Sequence, residues 1–240
     1  MSAGTIHGVG LGPGSPDLMS VRADRLVRAA RHVAYFRKAG KPGQARRIVE
    51  GMLRDDVTEY PMDYPVTTEI PLSDPRYAET LAAFYEDVAA PLRALAERGE
   101  DVVVLAEGDP FFYGSFMHLY TRLRPHVPVT VVPGITGMSA AWSATGTPIT
   151  WGDDVMTVVP ATLREAALTA RIASTDALVV MKIGQNLSKL KRATEQAGRM
   201  ADAWLVEYAA MPDQRVVPLA EVDTAPYFSI ALIHGQGRRP

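Results

Sequence analysis

The stretch Gly8-Val9-Gly10-Leu11-Gly12-Pro13-Gly14-Ser15-Pro16-Asp17 decides how this chain is read. It follows Thr5-Ile6-His7, a β-like run whose alternation Val9 and Leu11 continue. It precedes the helix-like run Val21-Arg22-Ala23-Asp24-Arg25-Leu26-Val27, with Ser20 placed as its cap. A strand, a glycine-rich turn and a helix in succession mark where open α/β sheets bind ligands. The spacing is not that of a dinucleotide fingerprint. Counted from Gly8, that pattern needs glycine or alanine at position 13 and meets Pro13; counted from Gly10, it needs one at 15 and meets Ser15. No Gly-Lys-Ser/Thr follows for a nucleoside triphosphate. Taken alone, the loop is equally well explained as a tight structural turn.

Two more strand ends carry loops of the same kind. Asp101-Val102-Val103-Val104-Leu105-Ala106 is a continuous apolar strand of the sort buried on both faces of a parallel sheet, and it runs into Glu107-Gly108-Asp109-Pro110-Phe111-Phe112-Tyr113-Gly114-Ser115. Val127 to Val132 reads as a strand ending in Pro133-Gly134-Ile135-Thr136-Gly137-Met138-Ser139. Three such junctions exceed what turn chemistry requires. They point to several crevice edges converging on one ligand.

The remaining segments alternate in the same way. His32 to Phe36 reads as a strand and Ala45, Ile48, Val49 and Met52 as one face of a helix. Val57 to Tyr60 is a short strand, followed by a proline-rich loop from Pro61 to Thr68. Asp74 caps a long amphipathic helix that ends at Gly99, and Pro91 inside it is expected to kink or split it. Helices over Phe116 to Arg124, Ala140 to Ala144, Leu163 to Arg171 and Asn186 to Ala197 alternate with strands over Val155 to Val159, Ala177 to Met181, Ala203 to Val206 and Tyr227 to Ile233. The alternation predicts an α/β protein, with two halves, 1–125 and 126–240, meeting near Pro125.

Composition narrows the function classes. The chain has 240 residues, enough for a sizeable core, and 47% are hydrophobic and 22% charged, as in an ordinary globular protein. A net charge of -2 supplies no general attraction to nucleic acid or to an anionic membrane. With no cysteine, disulfides, thiolate metal sites and cysteine nucleophiles are excluded. The five histidines are scattered without metal-ligand spacing, so no metal is expected. No apolar run is long enough to span a bilayer, and the first strand begins too early to leave room for a leader, which predicts a cytoplasmic protein. Arg37, Lys38, Lys41, Arg46 and Arg47 form a basic cluster that by itself reads as a solvated face.

In this order the three loops resemble those of the tetrapyrrole methylase family, which uses S-adenosylmethionine. Its marks are a Gly-x-Gly-Pro-Gly loop (Gly10 to Gly14), a Gly-Asp-Pro-x-x-Tyr/Phe-Gly loop (Gly108 to Gly114) and a Val-x-Pro-Gly loop (Val131 to Gly134). The strand ending at Met181, the segment Glu207 to Arg215 and the final strand match in order too, so the likeness covers nearly the whole chain. Ser15 stands where the family commonly has aspartate, with Asp17 two places on. Shorter marks, Tyr64-Pro65-Val66-Thr67-Thr68 and Pro226-Tyr227-Phe228-Ser229, are similar to the branch that methylates precorrin-2 at C-20 in cobalamin synthesis.

The resemblance implies two unlike α/β domains with S-adenosylmethionine held between them, a homodimer, and a tetrapyrrole polycarboxylate as substrate. It assigns Gly108, Asp109, Phe112, Thr136, Gly137, Met138, Met181, Ala209, Tyr227 and Ser229 to the cofactor. The Asp109 carboxylate is expected to hold a cofactor hydroxyl or amine. Gly12, Pro13 and Gly14 fall on the substrate side, and Arg37, Lys38, Arg46 and Arg47 become rim residues for its carboxylates. Methyl transfer is a displacement at a sulfonium, so the protein chiefly orients and excludes water. Asp17, Glu107 and Tyr113 are the candidates for any acid or base. The alternatives are the cobalt-loaded substrate, another ring position as in uroporphyrinogen III, a methylase of the same fold acting on RNA or protein, and a binding protein without turnover.

Overall fold

The computed structural model describes residues 2–66 and 74–237; Thr67 and Thr68, like the last three residues, lie outside them. The chain divides into two compact units, Met1–Thr136 and Gly137–Pro240. The first therefore runs past the junction expected near Pro125. The reason is that the strand beginning at Val129 pairs with the first strand of the chain.

In the first unit, β1 (Ile6–Gly10) leads through α1 (Val21–Ala29) to β2 (His32–Lys38), and α2 (Gln44–Ile48) leads to β3 (Thr58–Tyr64). Then follow α3 (Pro75–Glu97), β4 (Val102–Ala106), α4 (Phe116–Leu123) and β5 (Val129–Val132). The five strands are parallel in the order β3-β2-β4-β1-β5. Ser20 caps α1 by accepting from the Ala23 amide at 3.2 Å, and Asp74 caps α3 by accepting from Arg76 at 3.0 Å. Pro91 does not split α3, which runs unbroken over 23 residues. The expected proline-rich loop is shorter than the sequence suggests, because β3 continues through Pro61 to Tyr64. An edge strand tolerates a proline whose missing amide no neighbour needs.

Alternate residues of the strands feed two cores. Val9, Val33, Val103 and Leu105 pack with Ala23 and Val27 of α1 and with Ala45 and Ile48 of α2. Ile6, Ala34, Val102 and Val104 pack on the opposite face with Leu92 and Leu95 of α3 and with Phe116 and Leu119 of α4. The sheet is thus covered on both sides, which is why β4 can be apolar throughout.

The second unit begins with α5 (Gly137–Ala144) and β6 (Met156–Pro160), then α6 (Glu165–Ala173), β7 (Ala177–Met181) and α7 (Leu187–Gln196). It closes with β8 (Ala203–Glu207), β9 (Arg215–Pro218) and β10 (Ser229–Ile233). The strand order is β6-β7-β10-β8-β9, with β10 antiparallel to both neighbours and β9 antiparallel to β8. β9 is a strand that hydrophobic patterning did not reveal, since only two of its four residues, Val216 and Val217, are aliphatic. Leu178, Val180, Leu205 and Ala231 face α6 and α7, whereas Val179, Val206, Ile230 and Leu232 face α5.

Gly8 shows how tightly the first sheet is covered. A Cβ there would stand 2.2 Å from the tip of the Phe116 ring, which is fully buried. Gly8→Ala should therefore cost about 1–3 kcal/mol by overpacking. A lowered denaturant midpoint with an unchanged slope is the expected reading.

Candidate active site

All five parallel strands of the first unit end at the same edge of the sheet. β1 and β4 are neighbours, yet the chain leaves β1 for β2 through α1 on one face and leaves β4 for β5 through α4 on the other. Adjacent strands whose crossovers part in this way open a crevice at their carboxyl ends. The glycine loops found in the sequence lie at this point. Gly12 and Gly108 form an isolated bridge across it, with the Gly108 amide donating to Gly12 at 2.7 Å.

The three loops converge first on one another. A Cβ on Gly134 would fall 2.0 Å from the Gly108 carbonyl oxygen, and one on Gly10 would fall 2.6 Å from the Gly134 nitrogen. Gly12 and Gly108 also have φ of +81° and +66°, where a side chain is strained. Gly10, Gly108 and Gly134 therefore meet as bare backbone, a role that the sequence reading had given to ligand approach. Asp109 clasps the junction. One carboxylate oxygen accepts from the Phe111 amide at 2.8 Å and the other from the Gly134 amide at 3.0 Å. Its carboxylate is thus engaged inside the protein, with a lone pair on each oxygen to spare.

The other candidates of this unit differ in setting. Gly12 and Pro13 are buried and Gly14 half-buried, while Asp17 is exposed in the short 3₁₀ turn Pro16–Leu18. Tyr113 is exposed, has φ of +54°, and packs its ring edge-on to Phe112. Thr136 is the last residue of the unit and is half-buried. Glu107, the first residue after β4, is half-buried, and desolvation of its carboxyl pushes it up to about 7. Among the described residues it has no hydrogen-bond or ion-pair partner.

The basic cluster is divided. Arg46 makes a bidentate pair with Glu59 at 2.8 and 3.0 Å, and its hydrogen bonds hold the Glu59 carboxyl below its ordinary range. Arg37 pairs with Asp63 at 2.6 Å. Lys38 is exposed and has a contact of its own. Arg47 is exposed and has no partner among the described residues. Of the four expected rim residues, Arg47 alone is uncommitted.

In the second unit the antiparallel setting of β10 brings its start to the edge where β7 and β8 end, with Ser229 opposite Glu207. Met181, Ala209 and Ser229 share this edge, and Met138 and Met181 pack partly buried in the same cluster as Ala209 and Ile230. A Cβ on Gly137 would touch Ile230 at 3.4 Å, which puts the start of α5 beside β10. Ser229 is buried and its hydroxyl donates to the Pro226 carbonyl at 2.7 Å, so it turns the chain into β10. Tyr227 lies before the strand, 88% exposed, with its ring edge-on to Phe228.

Backbone strain marks the same places. Tyr113, Lys182, Tyr208 and Ala210 are the described non-glycine residues with positive φ, from 50° to 59°. Each lies next to a cofactor position inferred from the sequence: Phe112, Met181 or Ala209. A left-handed residue with a side chain costs about 1–2 kcal/mol and persists where its surroundings hold it, commonly at functional sites. Hydrophobic patterning carries no signal for these, and sequence reasoning missed Lys182, Tyr208 and Ala210. It also missed the buried Glu207 carboxylate, paired with Arg215 at 3.0 Å. Among the described residues no cluster of three or more His, Asp or Glu could hold a metal ion, and no helix is long and apolar enough to cross a membrane.

Two substitutions test this geometry. Asp109→Ala leaves the Gly134 amide without its acceptor and should destabilise the unit by about 1–3 kcal/mol, seen in the denaturant midpoint. Glu107→Gln should do the opposite at alkaline pH. With a folded-state value of about 7 and an ordinary value of 4.5, native Glu107 holds a proton that the unfolded chain has released between those limits. Stability is therefore lost as pH rises from 4.5 to 7 and stays low above it. Removing the charge should raise stability at pH 8 by up to about 3 kcal/mol and leave it unchanged at pH 4, as followed by thermal melts.

Residues 5–223 match the profile of the Tetrapyrrole (Corrin/Porphyrin) Methylases. The chain is 46% identical to a precorrin-2 C(20)-methyltransferase of Sinorhizobium sp. over 242 aligned positions, covering 100% of this chain and 99% of that one. It is 44% identical to the cobalamin biosynthesis protein CobIJ of Mycobacterium tuberculosis, and there it spans 48% of the larger protein's length. The fold is similar to that of a cobalt precorrin-4 methyltransferase from cobalamin biosynthesis, with a TM-score of 0.74, 21% identity, and 96% and 94% of the two chains covered. With a family match across both units and the glycine junction in place, the chain belongs to the tetrapyrrole methylases.

Proposed function

We propose that this enzyme transfers a methyl group from S-adenosylmethionine to C-20 of precorrin-2, the metal-free substrate, in cobalamin synthesis. The observation that carries the reading is the end-to-end likeness to the Sinorhizobium C(20)-methyltransferase at 46% identity. It works on this reading as a homodimer in the cytoplasm.

The residues present suit the methyl donor. Glycine junctions and left-handed turns let the backbone take tight courses at the strand ends, and Met138, Met181 and Ala209 offer an apolar surface in the second unit. Such a combination fits a compact ligand with one flat apolar ring and several polar groups. Gly108, Asp109, Phe112 and Thr136 would contribute from the first unit, and Gly137, Met138, Met181, Ala209, Tyr227 and Ser229 from the second. Asp109 contributes by fixing its loop, with its remaining lone pairs available to a hydroxyl or amine. Ser229 contributes by shaping the turn before β10. The bound donor supplies a methyl group on a sulfonium, already activated for displacement. The chain's own residues orient the two reactants and exclude water.

For the substrate side, buried Gly12 and Pro13 with half-buried Gly14 form a wall beside the crevice of the first sheet. Arg47 is the rim cation free to meet a substrate carboxylate, whereas Arg37 and Arg46 hold the ends of β2, β3 and α2 together through Asp63 and Glu59.

Incubation with methyl-labelled S-adenosylmethionine and precorrin-2, with cobalt-factor II and uroporphyrinogen III in parallel, should transfer label to precorrin-2 in preference. Absence of turnover on every tetrapyrrole, with the methyl donor still bound, would defeat the proposal. Arg47→Glu should raise KM for the tetrapyrrole about tenfold, as for a lost charge-assisted contact, and leave donor affinity unchanged.

A further inference from the structure

Glu107 is a carboxylate to which the fold gives no structural task. It stands one residue beyond β4, on the strand pair where the crossovers part, and the next residue makes the Gly12–Gly108 bridge. It is half-buried, and no described group donates to it or pairs with it. The charged and titratable groups of the surrounding elements leave it alone. Asp17 after β1, Arg37 and Lys38 on β2, Arg46 on α2, Asp109 in its own loop and His118 on α4 contribute nothing to its raised value, which comes from desolvation. Three of these groups are committed elsewhere, Arg37 to Asp63, Arg46 to Glu59 and Asp109 to backbone amides. Leaving an acid desolvated and unpaired costs stability, and such a cost is found where chemistry uses the group.

The reaction proposed above needs such a group. A ring carbon that exchanges hydrogen for methyl must release one proton. We propose that Glu107 accepts that proton. The ring π electrons form the new carbon–carbon bond as the sulfur–methyl bond breaks, and its electron pair stays on sulfur as a neutral thioether. The carbon–hydrogen bond then breaks, its pair restores the ring double bond, and the proton passes to the Glu107 carboxylate and from there to water. A base is most effective when its affinity for protons lies near the working pH, and a withdrawn carboxylate meets that condition better than an exposed one. The histidines do not compete at this edge. His7 and His32 lie toward the opposite end of the sheet, in β1 and β2, and His126 precedes β5 at that same end. His118 lies along α4 against Tyr85, and His234 is buried in the second unit.

This inference rests on the function proposed above, and the test separates the two. Glu107→Gln should lower kcat on precorrin-2 about 100-fold or more while calorimetry gives an unchanged affinity for S-adenosylmethionine. The wild-type profile of kcat should rise with pH through about 7, and that limb should vanish in the variant. Glu107→Asp, which keeps a carboxylate, should retain the limb and part of the rate. A melting temperature at pH 8 that is equal or higher in Glu107→Gln, together with lost turnover, is the signature of a group that acts rather than holds. Wild-type kcat with an intact limb in Glu107→Gln overturns the inference, as does a variant that loses rate and melting temperature together. If the wild type itself turns over no tetrapyrrole, the function falls instead.

Discussion

Three strands of the first unit end at points where their backbones touch more closely than any side chain allows. The Gly10, Gly108 and Gly134 backbones close on one another at the ends of β1, β4 and β5, and the Asp109 carboxylate fastens two of the loops together. Everything at that edge inherits its position from this contact. Gly12 and Pro13 are buried because Gly108 reaches across to Gly12. Glu107 is withdrawn from water because it lies on the approach to the same junction. A mutation that opened the contact would move the substrate wall, the candidate base and the Gly-Asp-Pro loop together, since they hang from one knot of backbone.

Charge is distributed so that most of it serves the scaffold. Arg37 and Arg46 tie β2 and α2 to the edge strand β3, which has a neighbour on only one side. Such part-exposed pairs contribute little stability singly. Their geometric effect is larger, because they fix the strand whose end carries Tyr64 beside Ser115 of the Gly-Asp-Pro loop. Among the described residues Arg47 and Glu107 have no such partner: Arg47 is exposed where a polyanion can reach it, and Glu107 is half-buried where a proton can be taken.

Much of this was legible in the sequence. The three loops announced themselves because each couples a strand pattern to glycines at a strand end. The α/β class and the caps at Ser20 and Asp74 followed from periodicity and side-chain chemistry. What escaped were features set by partners distant in the chain. The unit boundary moved to Thr136 because β5 pairs with β1, a fact no local pattern carries. Pro61 lies within β3 because that strand is an edge, and edge status is a property of the whole sheet. The basic cluster read as one surface, yet Glu59 and Asp63, more than ten residues on, had already claimed two of its arginines. Asp109 was visible as important, but its grip on the Gly134 amide depends on a contact 25 residues away.

The strained residues of the second unit have a topological cause. Inserting β10 antiparallel between β7 and β8 brings two chain exits and one chain entry to the same edge, within the width of three strands. Each exit must turn away at once or block its neighbour, and a left-handed residue makes the sharpest such turn. Glycine would make it without strain, yet Lys182, Tyr208 and Ala210 occupy these positions with φ near +55°. Their side chains therefore contribute something that glycine lacks. Tyr208 places its ring 6.2 Å from Phe228, and its amide donates to the Phe228 carbonyl at 2.8 Å, joining the β8 exit to the β10 entry. Ala210, like Met181, packs against the cluster beneath α5. The strain thus holds a small apolar surface at a fixed shape, with hydrogen bonds from backbone amides, such as Tyr208 to Phe228 and Ala210 to Gln214, fixing its rim. A site for a compact ligand needs that shape set before the ligand arrives, so that binding energy is spent on orientation and not on folding the loop.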